Sequence, residues 1–285
     1  MTKDRLNDLC ITIPTYKRKW PNFLQLVRQC DNLTFHVFVR ENDYNNGYYN
    51  EPQFDLPNIK FVLLNDVHEL GETRERMLQY AINNNYKYNL QMDDSQYGLQ
   101  DTTGKINYFD SILLNCINRF ETDIYKDKAF AFNFARKAYS NNIKKQKTYF
   151  LSQFCQTFIL NCEICKQYDL HFHCLDYCGL EDLSFIIHAV NKGLIELSDT
   201  RFIKTGTAPC LPSSKGGCHD CNYKELNRKR VEGIYNYVMS TDNIIDKNFL
   251  QKVDSILYPE TYYYKFNTKY AKKKLLHIEN DKIRY

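Results

Sequence analysis

Short apolar runs at residues 9–13, 34–39, 59–64 and 88–92 are strand-length, and the first, second and fourth empty directly into polar residues. Between them, residues 20–30 carry Phe23, Leu24 and Val27 at helical spacing, and residues 73–82 carry Met77, Leu78 and Ala81 in the same way. Strand, helix, strand, then a second helix before the next strand predicts an α/β fold built on a mostly parallel central sheet with flanking helices. In such sheets the ligand sits beyond the carboxyl ends of the strands, so the residues after each run become candidates before any motif is consulted. These are Thr15, Tyr16 and Arg18 after the first strand, Arg40, Glu41 and Asp43 after the second, and Asp93, Asp94 and Ser95 after the fourth.

The strand end at Asp93 and Asp94 is the strongest local signal. Two adjacent carboxylates repel unless a cation or hydrogen bonds offset them. Hard oxygen ligands select Mg²⁺ or Mn²⁺, and such an ion bridges naturally to a diphosphate. The alternative for a bare acidic pair is a helix cap or a solvated loop start. Glu181 and Asp182 open a helix over residues 180–190, where the macrodipole alone explains acidic residues; the functional alternative makes one of them a general base for an acceptor hydroxyl. Arg74 is placed near the start of the helix before the acidic strand, suited to phosphate or to a site carboxylate, whereas Arg76 reads as a surface residue. Lys215, with Gly216 and Gly217, can approach phosphate closely, and His219 in the same loop is a candidate metal ligand.

The second half continues with strands at 130–134 and 156–160, the helix stopped by Gly193, a loop rich in Pro, Ser and Gly beyond residue 205, and a helix over 223–238. With no repeat and no linker composition, the chain of 285 residues reads as one domain. Its parts are a nucleotide-binding half at 1–100, an acceptor half at 101–220 and a helical C-terminal extension at 221–285. Without an apolar run of membrane-spanning length or a secretory leader, it is expected to be cytoplasmic, with its 11 cysteines reduced. Cys162 with Cys165, Cys218 with Cys221, and the His171 to Cys174 stretch offer a structural Zn²⁺ site, against which stands the reading as buried thiols. The net charge of +4 is too small to mark a dedicated nucleic-acid-coating protein.

Taken in order, CITIPTYKR, VREND followed by Tyr44, GETRERMLQYA, LQMDDS and GLEDLSFIIHAVNKG resemble glycosyltransferases of the GT-A fold along nearly the whole chain. The wording of these segments, with the late Gly216 and Gly217 loop, looks most like the TET/JBP-associated glycosyltransferases, a largely phage-borne group. The resemblance implies a nucleotide-sugar donor, usually a UDP-sugar, and a Mn²⁺ or Mg²⁺ ion. It implies that Thr15, Tyr16 and Glu41 line the nucleotide pocket, that Asp93 and Asp94 meet metal and sugar, and that Asp182 is the base. Ser95 stands where the family pattern often has a third acidic residue. The narrower group implies hydroxymethylated pyrimidine in DNA as acceptor, with phosphate held by basic residues at 224–230 and 265–274. The alternatives are a cell-envelope glycan or protein acceptor, and a catalytically lapsed binding module.

Overall fold

The computed structural model describes residues 3–18, 21–65, 67, 70–101, 109–135, 154, 157–172 and 181–206. Its strands are β1 (Leu9–Pro14), β2 (Phe35–Arg40), β3 (Ile59–Leu64), β4 (Tyr88–Met92), β5 (Gln96–Asp101), β6 (Ala129–Ala135), β7 (Thr157–Asn161) and β8 (Ile195–Gly206). The helices are α1 (Phe23–Val27), α2 (Glu41–Asn45), α3 (Leu70–Asn83), α4 (Phe109–Thr122), α5 (Cys162–Gln167) and α6 (Glu181–Asn191).

All eight strands form one mixed sheet in the order β3-β2-β1-β4-β7-β6-β8-β5. The first four are parallel, as is the β6–β8 pair, while β7 runs against both β4 and β6, and β5 against β8. The chain leaves β1 toward β2 and β3, then returns to place β4 on the other side of β1. In open α/β sheets such a reversal marks where ligands bind, here the carboxyl ends of β1 and β4. Because β7 is antiparallel, with Thr157 opposite Met92, its amino end adds to the same rim.

Strand alternation divides the core. Leu9, Ile11, Ile13, Val37, Val39, Leu90 and Met92 face α1 and α4, in one apolar cluster with Leu113, Ile117 and Phe120. The opposite face packs Cys10, Phe130, Phe158 and Leu160 under α3, α5 and α6, through Leu78, Ala81, Cys165 and Phe185. Phe154 stacks on Phe158, and Phe172 on Phe185, each with ring centroids 4.3 Å apart. The central strands are therefore buried on both faces, as a helix-covered parallel sheet requires.

Several elements differ from the sequence-based expectation. Helix α1 is a five-residue piece rather than the span 20–30, because the turn bond from Leu24 N to Pro21 O starts it and i to i+3 bonds at Gln29 and Cys30 close it. The β4 end turns into β5, a strand outside the apolar runs, whose polar QYGLQD sequence shows no apolar alternation and carries a register shift between Gln96 and Gly98. Helix α4 and strand β8 also lie outside the segments recognised from apolar patterning.

Helix α6 ends as expected at Gly193, which takes φ +74° while Leu194 N donates to Ala189 O at 3.2 Å, the bond of a Schellman cap. A Cβ placed there meets nothing within 4 Å, so Gly193→Ala should cost about 1 kcal/mol through backbone strain alone. Chemical denaturation should show a lowered midpoint with an unchanged slope. No helix among the described residues is long and apolar enough to cross a membrane.

Candidate active site at the carboxyl mouth of the sheet

The site is built outward from β4. Tyr88, Leu90 and Met92 point into the α4 face, leaving Asn89 and Gln91 fully buried on the α3 face. Buried amides cost several kcal/mol unless paired, and these are paired in a chain. Asn89 Nδ2 donates to Cys10 O and Thr12 Oγ1, the Thr12 hydroxyl donates to Leu90 O, and Gln91 Nε2 donates to Asn89 Oδ1 and to Arg74 O, both at 3.0 Å. The chain terminates at the Arg74 guanidinium, which is 3% exposed and lies over the Phe158 ring at 5.1 Å.

Arg74 ties two parts of the molecule together. Its Nη2 donates to Asp93 Oδ1 at 3.1 Å, its Nε to Glu181 Oε1 at 3.0 Å, and its Nη1 to Gln91 Oε1 at 3.5 Å. Burial is the largest influence on this group and opposes its charge, but the carboxylates of Asp93, Glu181 and Asp182 together hold its pKa above the ordinary arginine value. Asp182 is buried beside Glu181 in the first turn of α6. The two acidic motifs are thus joined through one cation.

Asp94 is fixed from its other side. Thr15 Oγ1 donates to Asp94 Oδ2 at 2.8 Å and Arg18 Nε lies 3.2 Å from the same oxygen. The main chain locks the turn: Phe23 N donates to Asp94 O at 3.3 Å, and Asn22 Nδ2 to Ser95 O at 2.8 Å. Burial pushes the Asp94 carboxyl up to about 6, even though Arg18 and the Thr15 hydroxyl pull it down.

The adjacent carboxylates of Asp93 and Asp94 offer the hard oxygen ligands that suit a divalent ion. Asp93 and Glu181 pair with Arg74, Asp94 pairs with Arg18, and Asp182 lies within the electrostatic reach of Arg74. Among the described residues no group of three or more His, Cys, Asp or Glu side chains is placed to hold a metal. Mg²⁺-like ions do not need one, since they are commonly held by one or two carboxylates with water and substrate phosphate completing the shell. Asp93 and Asp94 are the residues suited to that role.

At the neighbouring strand end, the Arg40 guanidinium lies 4.4 Å above the Tyr16 ring, and Glu41 opens α2. Two residues here, Tyr49 and Lys17, were not singled out from sequence. Tyr49 OH accepts from Lys17 N at 3.1 Å and donates to Thr15 O at 3.4 Å, bracing the loop, and its burial raises its pKa to about 12. Lys17 takes a left-handed φ of 51° and places Nζ 3.7 Å from Asp43 Oδ1. The other Asp43 oxygen is buried with no hydrogen-bond partner, although the residue is 5% exposed. Gln91 was detectable in principle, as an amide at an inward position of an otherwise apolar strand.

No protein-family model and no curated protein matches the chain. Among solved structures, it is similar to GalNAc-T7 with UDP, GalNAc and Mn²⁺, at 10% identity over 95% of this chain and 56% of that chain, with a TM-score of 0.49. It is also similar to the catalytic domain of Drosophila beta1,4galactosyltransferase 7 in complex with xylobiose, at 16% identity over 78% of this chain and 79% of that one, with a TM-score of 0.40. The chain therefore spans little more than half the length of the first of these structures.

Lys215, His219, the basic stretches at 224–230 and 265–274, the helix over 223–238, and Cys174, Cys218 and Cys221 lie outside the described residues. Cys162 and Cys165 are free, buried thiols packed in the core, and burial raises both pKa values, Cys162 to about 12. His171 Nδ1 pairs with Glu75 Oε1 at 2.8 Å and its Nε2 with Asp169 Oδ1 at 2.9 Å. Arg76 is exposed.

The Glu75 hydrogen bond, followed by the Asp169 contacts and against partial burial, raises the His171 pKa. A histidine with a raised folded-state pKa stabilises the fold fully below its unfolded value of about 6.5, and that contribution fades as pH rises through the folded value. The melting temperature of the wild type should therefore fall more between pH 6 and pH 8 than that of His171→Gln. Parallel thermal melts of the two proteins at both pH values check this.

Proposed function

We propose that the chain is a metal-dependent glycosyltransferase that moves a sugar from a nucleotide-sugar, of the UDP-sugar class, to a hydroxyl group. The carrying observation is the convergence at one sheet mouth of Asp93, Asp94, Arg18, Arg74 and Glu181, drawn from four separate segments of the chain. Such a mouth, carrying carboxylates and guanidinium groups side by side, suits a cation and a diphosphate together. The sequence resemblance to GT-A enzymes runs through the same residues.

In this reading the acceptor oxygen forms a bond to the anomeric carbon as the bond from that carbon to the phosphate oxygen breaks, and the nucleoside diphosphate leaves. Asp93 and Asp94 would hold a divalent ion, which would neutralise the charge that develops on the diphosphate. Tyr16 and Arg40 offer a flat, cationic surface at the nucleotide end, with Thr15 and Glu41 beside it. Asp182 takes the acceptor proton. Glu181 has one oxygen committed to Arg74, which makes it a positioning residue holding Asp182 in register with the donor.

The acceptor is hydroxymethylated pyrimidine in DNA, of phage type; sequence resemblance and the basic stretches near the C-terminus support this. Ser95 and the pairing of both aspartates with arginines favour one rival, a binding module without turnover. Hydroxymethylated and unmodified duplexes incubated with Mn²⁺ and a panel of nucleotide sugars separate these readings by nucleoside mass. A mass increase of one sugar residue on the modified nucleoside alone is expected. Donor hydrolysis without transfer to any duplex defeats the DNA acceptor, and donor binding without either reaction defeats the transferase.

A further inference from the structure

We propose that Arg18 is an exchangeable placeholder, which holds the Asp94 carboxylate when no cation is bound and moves to the diphosphate when a cation takes its place. The inference rests on the donor-site reading above and goes beyond it by assigning the site two states.

The geometry separates Arg18 sharply from Arg74. Arg74 aims Nε, Nη1 and Nη2 at named acceptors and is sealed in the core. Arg18 Nε lies 3.2 Å from Asp94 Oδ2, yet this buried N–H is directed at no acceptor. The oxygen it approaches is already hydrogen-bonded by the Thr15 hydroxyl. The contact is therefore mainly Coulombic, and exchanging it for another cation at Asp94 sacrifices no well-aligned Nε–H bond.

Two further features make exchange feasible. Asp94 does not depend on Arg18 for its position, since Thr15, Phe23 and the neighbouring Asn22 to Ser95 bond hold the turn. Arg18 sits on the loop after β1, and its side chain is 17% exposed, so rotation about its own bonds suffices to withdraw it. A guanidinium displaced from a carboxylate by a metal ion finds its best new partner in the diphosphate that the same ion binds, because planar N–H pairs match phosphate oxygens.

The test measures binding rather than turnover. Free Mn²⁺ is followed by electron paramagnetic resonance for wild type, Arg18→Gln, Arg18→Lys and Asp94→Asn, first without nucleotide and then with UDP. Removing a weak ion-pair competitor should tighten Mn²⁺ binding to Arg18→Gln by about threefold without nucleotide. Losing a charge-assisted bond to phosphate should weaken UDP binding in the presence of Mn²⁺ by about tenfold. Arg18→Lys, which keeps the charge, should bind Mn²⁺ alone as wild type does.

Unchanged or weakened Mn²⁺ binding in Arg18→Gln, with the near-ultraviolet circular dichroism of the native fold, overturns the placeholder; if that variant misfolds, UDP binding in Arg18→Lys equal to wild type does so. Should wild type bind UDP with Mn²⁺, and Asp94→Asn lose it, while every Arg18 variant behaves as wild type, only the placeholder fails. Should wild type itself bind no Mn²⁺ in the presence of UDP, the donor-site reading fails with it.

Discussion

Arg74→Met should destabilise the protein by roughly 3–5 kcal/mol, the usual cost of removing one partner from a buried ion pair. The methionine fills similar volume over Phe158, so packing is largely kept and the loss is electrostatic. Asp93 and Glu181 each lose a donor at 3.1 and 3.0 Å, and the buried Gln91 amide loses another. For a chain of this size the melting midpoint should fall by roughly 10 °C. A control separates charge from shape: adding Glu181→Gln to Arg74→Met removes one stranded carboxylate and should restore part of the loss, whereas additive losses would mean the carboxylate is not the cause. Arg74→Lys should fall between, since an ammonium cannot reproduce the fork that spans two carboxylates.

Asp94→Asn should behave in the opposite way, losing function and keeping the fold. The amide is nearly isosteric, can still accept from the Thr15 hydroxyl, and removes a charge that burial disfavours. Its melting temperature should stay within a few degrees of wild type. Its sugar-transfer rate should fall about a thousandfold, equivalent to about 4 kcal/mol of transition-state stabilisation. Single-turnover kinetics at saturating donor are the appropriate measurement, since a change in KM alone would mean that the residue binds the ground state only. A loss of less than about tenfold would remove Asp94 from the chemistry.

The parts of the fold legible in the sequence are those whose signal is local. β1, β2 and β4 are short apolar runs with abrupt polar ends, and α6 carries both its acidic first turn and its glycine stop. Asp93 and Asp94 could be singled out for the same reason. What was not legible depends on partners far away in sequence. The bond from Thr15 to Asp94 spans 79 positions and that from Arg74 to Glu181 spans 107.

Arg74 illustrates the difference. Near the start of a helix it reads as a residue for phosphate, and only the tertiary fold shows that its donors are taken by two site carboxylates and a buried amide. The reversal of β5 and β7 was hidden for another reason. Strand β5 has a polar sequence interrupted by Gly98, and a buried antiparallel strand such as TFILN is as apolar as a parallel one, so pattern alone does not give its direction.

The most direct measurement is anomalous diffraction from crystals grown with UDP and Mn²⁺. A manganese peak is expected at ordinary metal–oxygen distance, roughly 2.1 Å, from a carboxylate oxygen of Asp93 or Asp94, with the diphosphate oxygens on its far side. UDP bound elsewhere on the protein, or bound at this mouth with both aspartates still paired to arginine and no metal between them and the phosphates, would contradict it.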